Sequence, residues 1–224
     1  MSAPPQLPLP FPHQPSYAAS AFLRAASNEP ALSWLERMPD WPGGRLALWG
    51  EPGCGKTHLL HVWAGRAGAL LQPGTSLRNV PELPGGGGLA IDNADRAPEE
   101  PLLHLLNAAA EARLPVLLAA ALPPARWPVR LPDLGSRLRA ITAVEIGPRE
   151  DPLLDALLLR LAADRQLDLS PSLQEWLRRR LPRSSGALRE AVARLDRAAL
   201  ATGGKIGRTL AAETLADLLA DTEN

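Results

Sequence analysis

Along the middle of the chain, short apolar runs alternate with helix-period patterns. Arg45–Trp49 (RLALW), Gly88–Ile91 (GLAI), Pro115–Ala121 (PVLLAAA) and Thr142–Ile146 (TAVEI) are brief and continuous, which predicts buried strands. Between and after them, the spacing predicts helices over 57–67, 98–113 and 131–140, with Pro101 acceptable in a first turn. Asn28, followed by Glu29 and Pro30, is an N-cap signal for a helix running through Trp34, Leu35 and Met38. Pro39 to Gly44 then break the chain. Strands that alternate with helices pair in parallel, so an α/β core is expected.

The pattern changes after Gly147-Pro148. Leucines 153, 154, 157, 158 and 161 make a helical stripe. Ser170-Pro171 predicts the start of a second helix, Ser184 or Ser185 a third and Thr209 a fourth. The predicted organisation is a tail over 1–16, an α/β domain over 17–148 and an all-α, four-helix subdomain over 149–224. Six prolines in residues 1–15 exclude a helix or a central strand there, so a disordered, extended tail is expected. Gly85–Gly88 precede a strand and are expected to form a flexible linking loop.

Composition narrows the class. The 224 residues carry 24 acidic and 24 basic side chains, and 46% are hydrophobic. This excludes an acidic disordered tail, a strongly basic nucleic-acid binder and a disulfide-stapled miniprotein. Lys56 and Lys205 are the only lysines; every other base is arginine. The single cysteine, Cys54, forms no internal disulfide, which favours a reducing compartment. No charged segment followed by an apolar run opens the chain, and no stretch of about 18 apolar residues occurs in it. A cytoplasmic protein with no membrane partner is expected.

Gly50-Glu-Pro-Gly53-Cys54-Gly55-Lys56-Thr57 follows one predicted strand and opens a helix. It matches the phosphate-loop pattern G-x-x-x-x-G-K-[ST] in the strand–loop–helix context that the pattern requires. Glycines let backbone N–H groups turn toward phosphate oxygens, and the helix N-terminus adds partial positive charge. Lys56 would reach the terminal phosphates, and the Thr57 hydroxyl would serve Mg²⁺. Cys54 suits a small filler of that loop. About 35 residues on, Leu89-Ala-Ile-Asp92 ends a strand with a carboxylate, where a Walker B acid would hold the same Mg²⁺. The next residue is Asn93. An amide accepts a proton far less readily than the carboxylate many ATPases place there, so nucleotide binding is expected to outperform hydrolysis.

These motifs resemble the DnaA/Hda family of AAA+ proteins, and within it the branch that inactivates the replication initiator DnaA. The likeness covers nearly the whole chain. Ala21-Phe22-Leu23-Arg-Ala-Ala-Ser-Asn28 resembles the family's N-terminal segment beside the adenine. GEPGCGKTHLLHVWA resembles its P-loop helix, which brings His58 into the nucleotide set, and AIDNAD resembles its Walker B strand. Leu131-Pro-Asp-Leu-Gly-Ser-Arg137-Leu138 is similar to its Box VII, which implies that Arg137 is an arginine finger acting on a nucleotide bound by a neighbouring subunit. Gln6-Leu7-Pro-Leu9-Pro10-Phe11 resembles the family's sliding-clamp-binding peptide. A glutamine for hydrogen bonds, three apolar anchors and stiffening prolines are compatible with that use.

The resemblance implies an AAA+ core with a helical lid, bound ADP or ATP with Mg²⁺, and two partners: the DNA polymerase III β sliding clamp and DnaA. It leaves self-association into a homodimer open. Little or no ATPase activity of its own is expected, because both sensors depart from the pattern. Ala119-Ala120-Ala121 stand where a polar sensor 1 is usual, and Gly186 where the sensor 2 arginine is usual. Arg183 or Arg189 could substitute for the latter from a nearby turn. A stand-alone ATPase of the helicase-loader kind and a non-catalytic clamp-bound adaptor are the competing classes. His58 and His61 have no third ligand to complete a zinc set, and Arg178–Arg180 lie among acids, as on a solvated helix face. The six tryptophans form no stacking series along the chain. The chain stops at Asn224, after the last lid helix, and carries no net charge; specific DNA binding of its own is not expected.

Overall fold

A computed structural model describes residues 17, 22–79, 82–202 and 206–220. The chain divides into two compact units, 16–148 and 149–224.

The first unit contains five parallel strands in the order β2-β3-β4-β1-β5: β1 Arg45–Trp49, β2 Leu70–Pro73, β3 Leu89–Asp92, β4 Val116–Ala120 and β5 Thr142–Glu145. Helices α1 Glu29–Glu36, α2 Lys56–Ala67, α3 Glu99–Glu111 and α4 Pro132–Arg139 complete it. Alternate residues of each strand point to opposite faces of the sheet, and both faces are apolar. Leu46, Leu48, Ala90, Leu117 and Ala119 pack with Leu59, Leu60 and Trp63 of α2. Ala47, Leu89, Ile91, Val116 and Leu118 pack with Leu102, Leu105 and Leu106 of α3 and with Leu134 and Leu138 of α4. The chain leaves β1 toward β2 and leaves β4 toward β5, in opposite directions. Right-handed crossovers therefore place α2 and α4 on opposite faces.

Four of the five strands coincide with the predicted runs, and β2 has no counterpart among them. It is an edge strand, exposed at both ends, and Gln72-Pro73 interrupts its apolar run. The Gly85–Gly88 run is not a flexible linker throughout. Gly88 accepts a hydrogen bond from the Leu70 backbone N–H (2.9 Å). A Cβ on Gly87 would lie 2.2 Å from the Gly68 carbonyl oxygen, and one on Gly88 2.7 Å from that of Pro115. These two glycines form a close-packed turn into β3. Asn28 stands at the start of α1, but its side chain does not cap the helix. Instead its Oδ1 accepts from the Ala25 N–H (3.0 Å), and its Nδ2 donates to the Leu23 carbonyl (2.9 Å). The buried amide holds the preceding turn. Nor are all the tryptophans isolated: Trp41 stacks on Trp63 with ring centroids 5.3 Å apart.

The second unit is all helical: α5 Asp151–Ala163, α6 Pro171–Arg180, α7 Ser185–Thr202, α8 Arg208–Thr214 and α9 Ala216–Ala220. Its core holds Leu154, Leu157, Leu158, Leu173, Leu177, Leu188, Val192 and Leu195. The Ser170 hydroxyl accepts from the Leu173 N–H (3.3 Å), and that of Ser184 from the Ala187 N–H (3.1 Å), so both cap as serines do. The fourth start differs from the expected one: Gly207 is the N-cap of α8, and Thr209 lies inside the helix. A fifth short helix follows. Among the described residues, no helix is long and apolar enough to cross a membrane.

Candidate functional site

The phosphate-loop residues follow β1 and end on α2, at the carboxyl end of the sheet. That edge is where ligands of open parallel sheets bind, at the point where crossovers diverge. Three glycines shape the loop, with φ of +148° at Gly50, +79° at Gly53 and +119° at Gly55. A side chain is excluded at Gly50, where a Cβ would lie 2.4 Å from the Ile146 carbonyl oxygen. Gly55 is the N-cap of α2 and has no side chain to satisfy the first N–H groups of the helix. Cys54 is buried in the loop. Lys56 folds back over it, donating to the carbonyls of Gly50 (2.7 Å) and Glu51 (2.8 Å), with the Cys54 sulfur at 3.6 Å. Uncapped helical N–H groups, a cation turned inward and a glycine cradle form a setting that fits a phosphate chain.

Sheet pairing brings the two motifs together. Thr57 and Asp92 are 35 residues apart, and the Thr57 hydroxyl donates to Asp92 Oδ2 at 2.9 Å. The other Asp92 oxygen accepts from the Asn93 N–H (3.0 Å). A hydroxyl beside a carboxylate is a donor set suited to a hard divalent cation that takes its remaining ligands from phosphate and water. Among the described residues, no cluster of three or more His, Cys, Asp or Glu could hold a metal by itself. Asn93 is exposed and left-handed at φ +50°, a conformation that Asn tolerates well.

The segment before α1 lies along α2. Phe22 meets His58 edge-on at 5.2 Å between centroids, and Tyr17 meets the same ring edge-on at 5.6 Å. Tyr17 also stacks face to face on His61 at 3.8 Å. The two histidines are therefore not a bare solvent face; they seat aromatic rings of the N-terminal segment. Leu23 contributes its carbonyl to Asn28.

At the end of β4 the run Ala119–Ala121 offers no polar side chain, but the Ala121 N–H donates to Asp95 Oδ2 at 3.2 Å. Asp95 closes the AIDNAD match, three residues beyond Asp92, but the motif assigns it no role. At the second sensor position, Gly186 is not imposed by packing: a Cβ there would find Ser184 Oγ at 3.9 Å, an ordinary contact. Of its candidate substitutes, Arg183 is paired with Asp151, whereas Arg189 is exposed. The arginine run 178–180 is also engaged: Arg178 with Asp155 (3.7 Å) and Glu175 (2.5 Å), Arg179 with Glu175 (2.7 Å), and Arg180 over the Trp176 ring.

Arg137 lies elsewhere. It occupies the last turn of α4, shortly before Thr142, which pairs with Leu46 near the start of β1. The phosphate loop leaves the other end of that strand. Five residues at a rise of about 3.3 Å put roughly 13 Å of strand between the two edges. The approach to α4 is held by Glu99, whose carboxylate accepts from the N–H groups of Arg130 (2.9 Å) and Leu131 (2.8 Å). These bonds keep the Glu99 carboxyl below the usual carboxylate range. The clamp-peptide residues Gln6, Leu7, Leu9, Pro10 and Phe11, and also Lys205, lie outside the described residues.

The strand order, the loop after β1 and the carboxylate ending β3 define the AAA+ P-loop NTPase fold, of the DnaA-like kind, with helices C-terminal to the sheet domain. Domain III of the replication initiation protein DnaA of Thermotoga maritima superposes with a TM-score of 0.77 at 16% identity, over 93% of this chain and 99% of that one. AMPPCP-bound DnaA from Aquifex aeolicus superposes at 0.63 and 14% identity, over 80% of this chain and 65% of that one. The RuvB Holliday junction branch migration motor of Thermotoga maritima gives 0.61 at 20% identity, covering 78% of this chain and 61% of that one. No family model matches the chain.

Proposed function

We propose that this chain is an Hda-like negative regulator of replication initiation. It binds adenine nucleotide with Mg²⁺, docks on the β sliding clamp and stimulates ATP hydrolysis by DnaA. One observation carries this reading. Arg137 and the phosphate loop lie at opposite ends of one strand, so an Arg137 finger serves a nucleotide held by another subunit. Its planar, permanently charged guanidinium neutralises phosphoryl charge as it develops.

In its own site, Lys56 and the α2 N-terminus bind the phosphates, while Thr57 and Asp92 hold Mg²⁺. The ion, when bound, neutralises phosphate charge. Phe22, Leu23 and His58 flank the base side of the loop. Asn93 stands beside Asp92 where many ATPases place a carboxylate, and alanines end β4, both of which disfavour activation of water there. ADP or ATP held in this site acts as a resident ligand, and the chemistry takes place in the partner. Gln6–Phe11 supply the tether, which raises the local concentration of two partners that meet only weakly in solution.

The test is DnaA-bound ATP hydrolysis with clamp-loaded DNA. Arg137→Ala abolishes stimulation and leaves clamp binding intact. Gln6→Ala with Phe11→Ala removes clamp binding and leaves ADP binding intact. Stimulation that survives Arg137→Ala sinks the finger assignment, and robust turnover by the purified chain alone favours a stand-alone ATPase.

A further inference from the structure

The half-buried arginines of the helical unit are matched with carboxylates: Arg160 with Asp164, Arg165 with Asp196, and Arg194 with Glu190 and Asp217. Arg45 and Arg137 are different. Both are half-buried, and neither has a carboxylate within ion-pair distance among the described residues. Arg45 opens β1, and its Nη2 donates to the Leu106 carbonyl of α3 at 3.0 Å. Arg137 lies at the same end of the sheet, and its Nε is buried with no partner. Burial, and then the charge of Arg137, hold the Arg45 guanidinium below its ordinary range.

Two half-buried cations without a counterion are an unfavourable arrangement in the free protein. Arg45 has little freedom to withdraw, since its strand position and its bond to Leu106 fix it. The repulsion is relieved when an anion arrives from outside. Phosphoryl oxygens suit that role, because a guanidinium donates to them in a planar fork.

We propose that Arg45 is a positioning residue for Arg137: a fixed second cation that keeps the Arg137 guanidinium free of internal partners and, with it, forms a receiving site for the terminal phosphate of a nucleoside triphosphate on another AAA+ subunit. This rests on the finger reading of Arg137. Nothing in the local sequence marks Arg45, which begins a strand 92 residues before its neighbour. A plainer role, bridging β1 to α3 through the Leu106 carbonyl, requires a donor but no charge.

The experiment compares Arg45→Gln, Arg45→Lys and Arg137→Ala, each in the full chain, in the DnaA–ATP assay with clamp-loaded DNA. Arg137→Ala loses about 10³-fold of the stimulated rate. Arg45→Gln lowers kcat about tenfold with KM for DnaA–ATP unchanged, it does not lower the Tm of the free chain, because the repulsion from Arg137 is relieved, and it flattens the salt dependence of stimulation. Arg45→Lys keeps about half of the wild-type kcat, since the charge is retained. A wild-type rate for Arg45→Gln beside an inactive Arg137→Ala overturns this proposal and leaves the finger standing. So does a fall in Tm with Arg45→Gln that Arg45→Lys fails to rescue, because that is the bridging role. A wild-type rate for Arg137→Ala overturns the finger, and this proposal with it.

Discussion

At the end of β1 the backbone turns through Gly50 so close to Ile146 that no side chain fits. Gly50→Ala is expected to destabilise the fold by about 1–3 kcal/mol, a combination of positive φ and a 2.4 Å clash. Gly85→Ala, with nothing within 4 Å, is expected to stay within about 0.5 kcal/mol of wild type. Denaturant unfolding of the two variants checks the contrast; equal costs would mean that the loop relaxes. Gly50, Lys56, Thr57 and Asp92 are all legible in the sequence, because a phosphate loop is a local pattern with few chemical solutions. The roles of Asp95 and Arg45 are not. The first shows only in its bond to the end of β4, the second only in the placing of β1 and α4 at one end of the sheet.

At the scale of elements, the approach to α4 is held by a single carboxylate, while Leu134 and Leu138 bury the helix itself. Glu99 accepts from two backbone N–H groups before the helix, and its pKa is lowered on folding. A group whose folded pKa is depressed stabilises the fold above its unfolded pKa, and loses that contribution as pH falls through the folded one. Glu99→Gln is therefore expected to lower the unfolding midpoint near neutral pH. Its gap from wild type closes as pH falls below the usual carboxylate range. A gap that is constant with pH would refute the carboxylate's role. In the sheet core, Leu118 is wholly buried, and Leu118→Ala is expected to cost about 2–5 kcal/mol. A change under about 1 kcal/mol in urea titration would contradict the two-faced packing described for β4. Most elements are legible from periodicity alone. Two exceptions share a cause: β2 and the Gly87–Gly88 turn are specified by contacts with chain distant in sequence. Their residues, a Gln-Pro pair and a glycine run, carry weak or misleading local signals, as does the threonine just inside α8.

For the whole molecule, nucleotide binding is the central expectation. A ligand that binds only the folded state at about 100 times its Kd adds about 2.7 kcal/mol of stability. ADP with Mg²⁺ is therefore expected to raise the Tm of the wild-type chain by several degrees and that of Lys56→Ala by far less. An equal shift in both would remove Lys56 from the site. A chain with equal acids and bases has no bulk charge to draw it to DNA.

The α/β-then-α layout, the phosphate loop and the acid that joins it are written in the order of residues, because alternation, turn chemistry and glycine placement act over a few positions. The strand order, the opposite placement of α2 and α4, the seating of Tyr17 and Phe22 on two histidines, and the placing of Arg45 and Arg137 at one end of the sheet arise only when the chain packs. These depend on which strand each crossover reaches. That choice is made by burying both faces of one sheet at once, and it leaves no local mark.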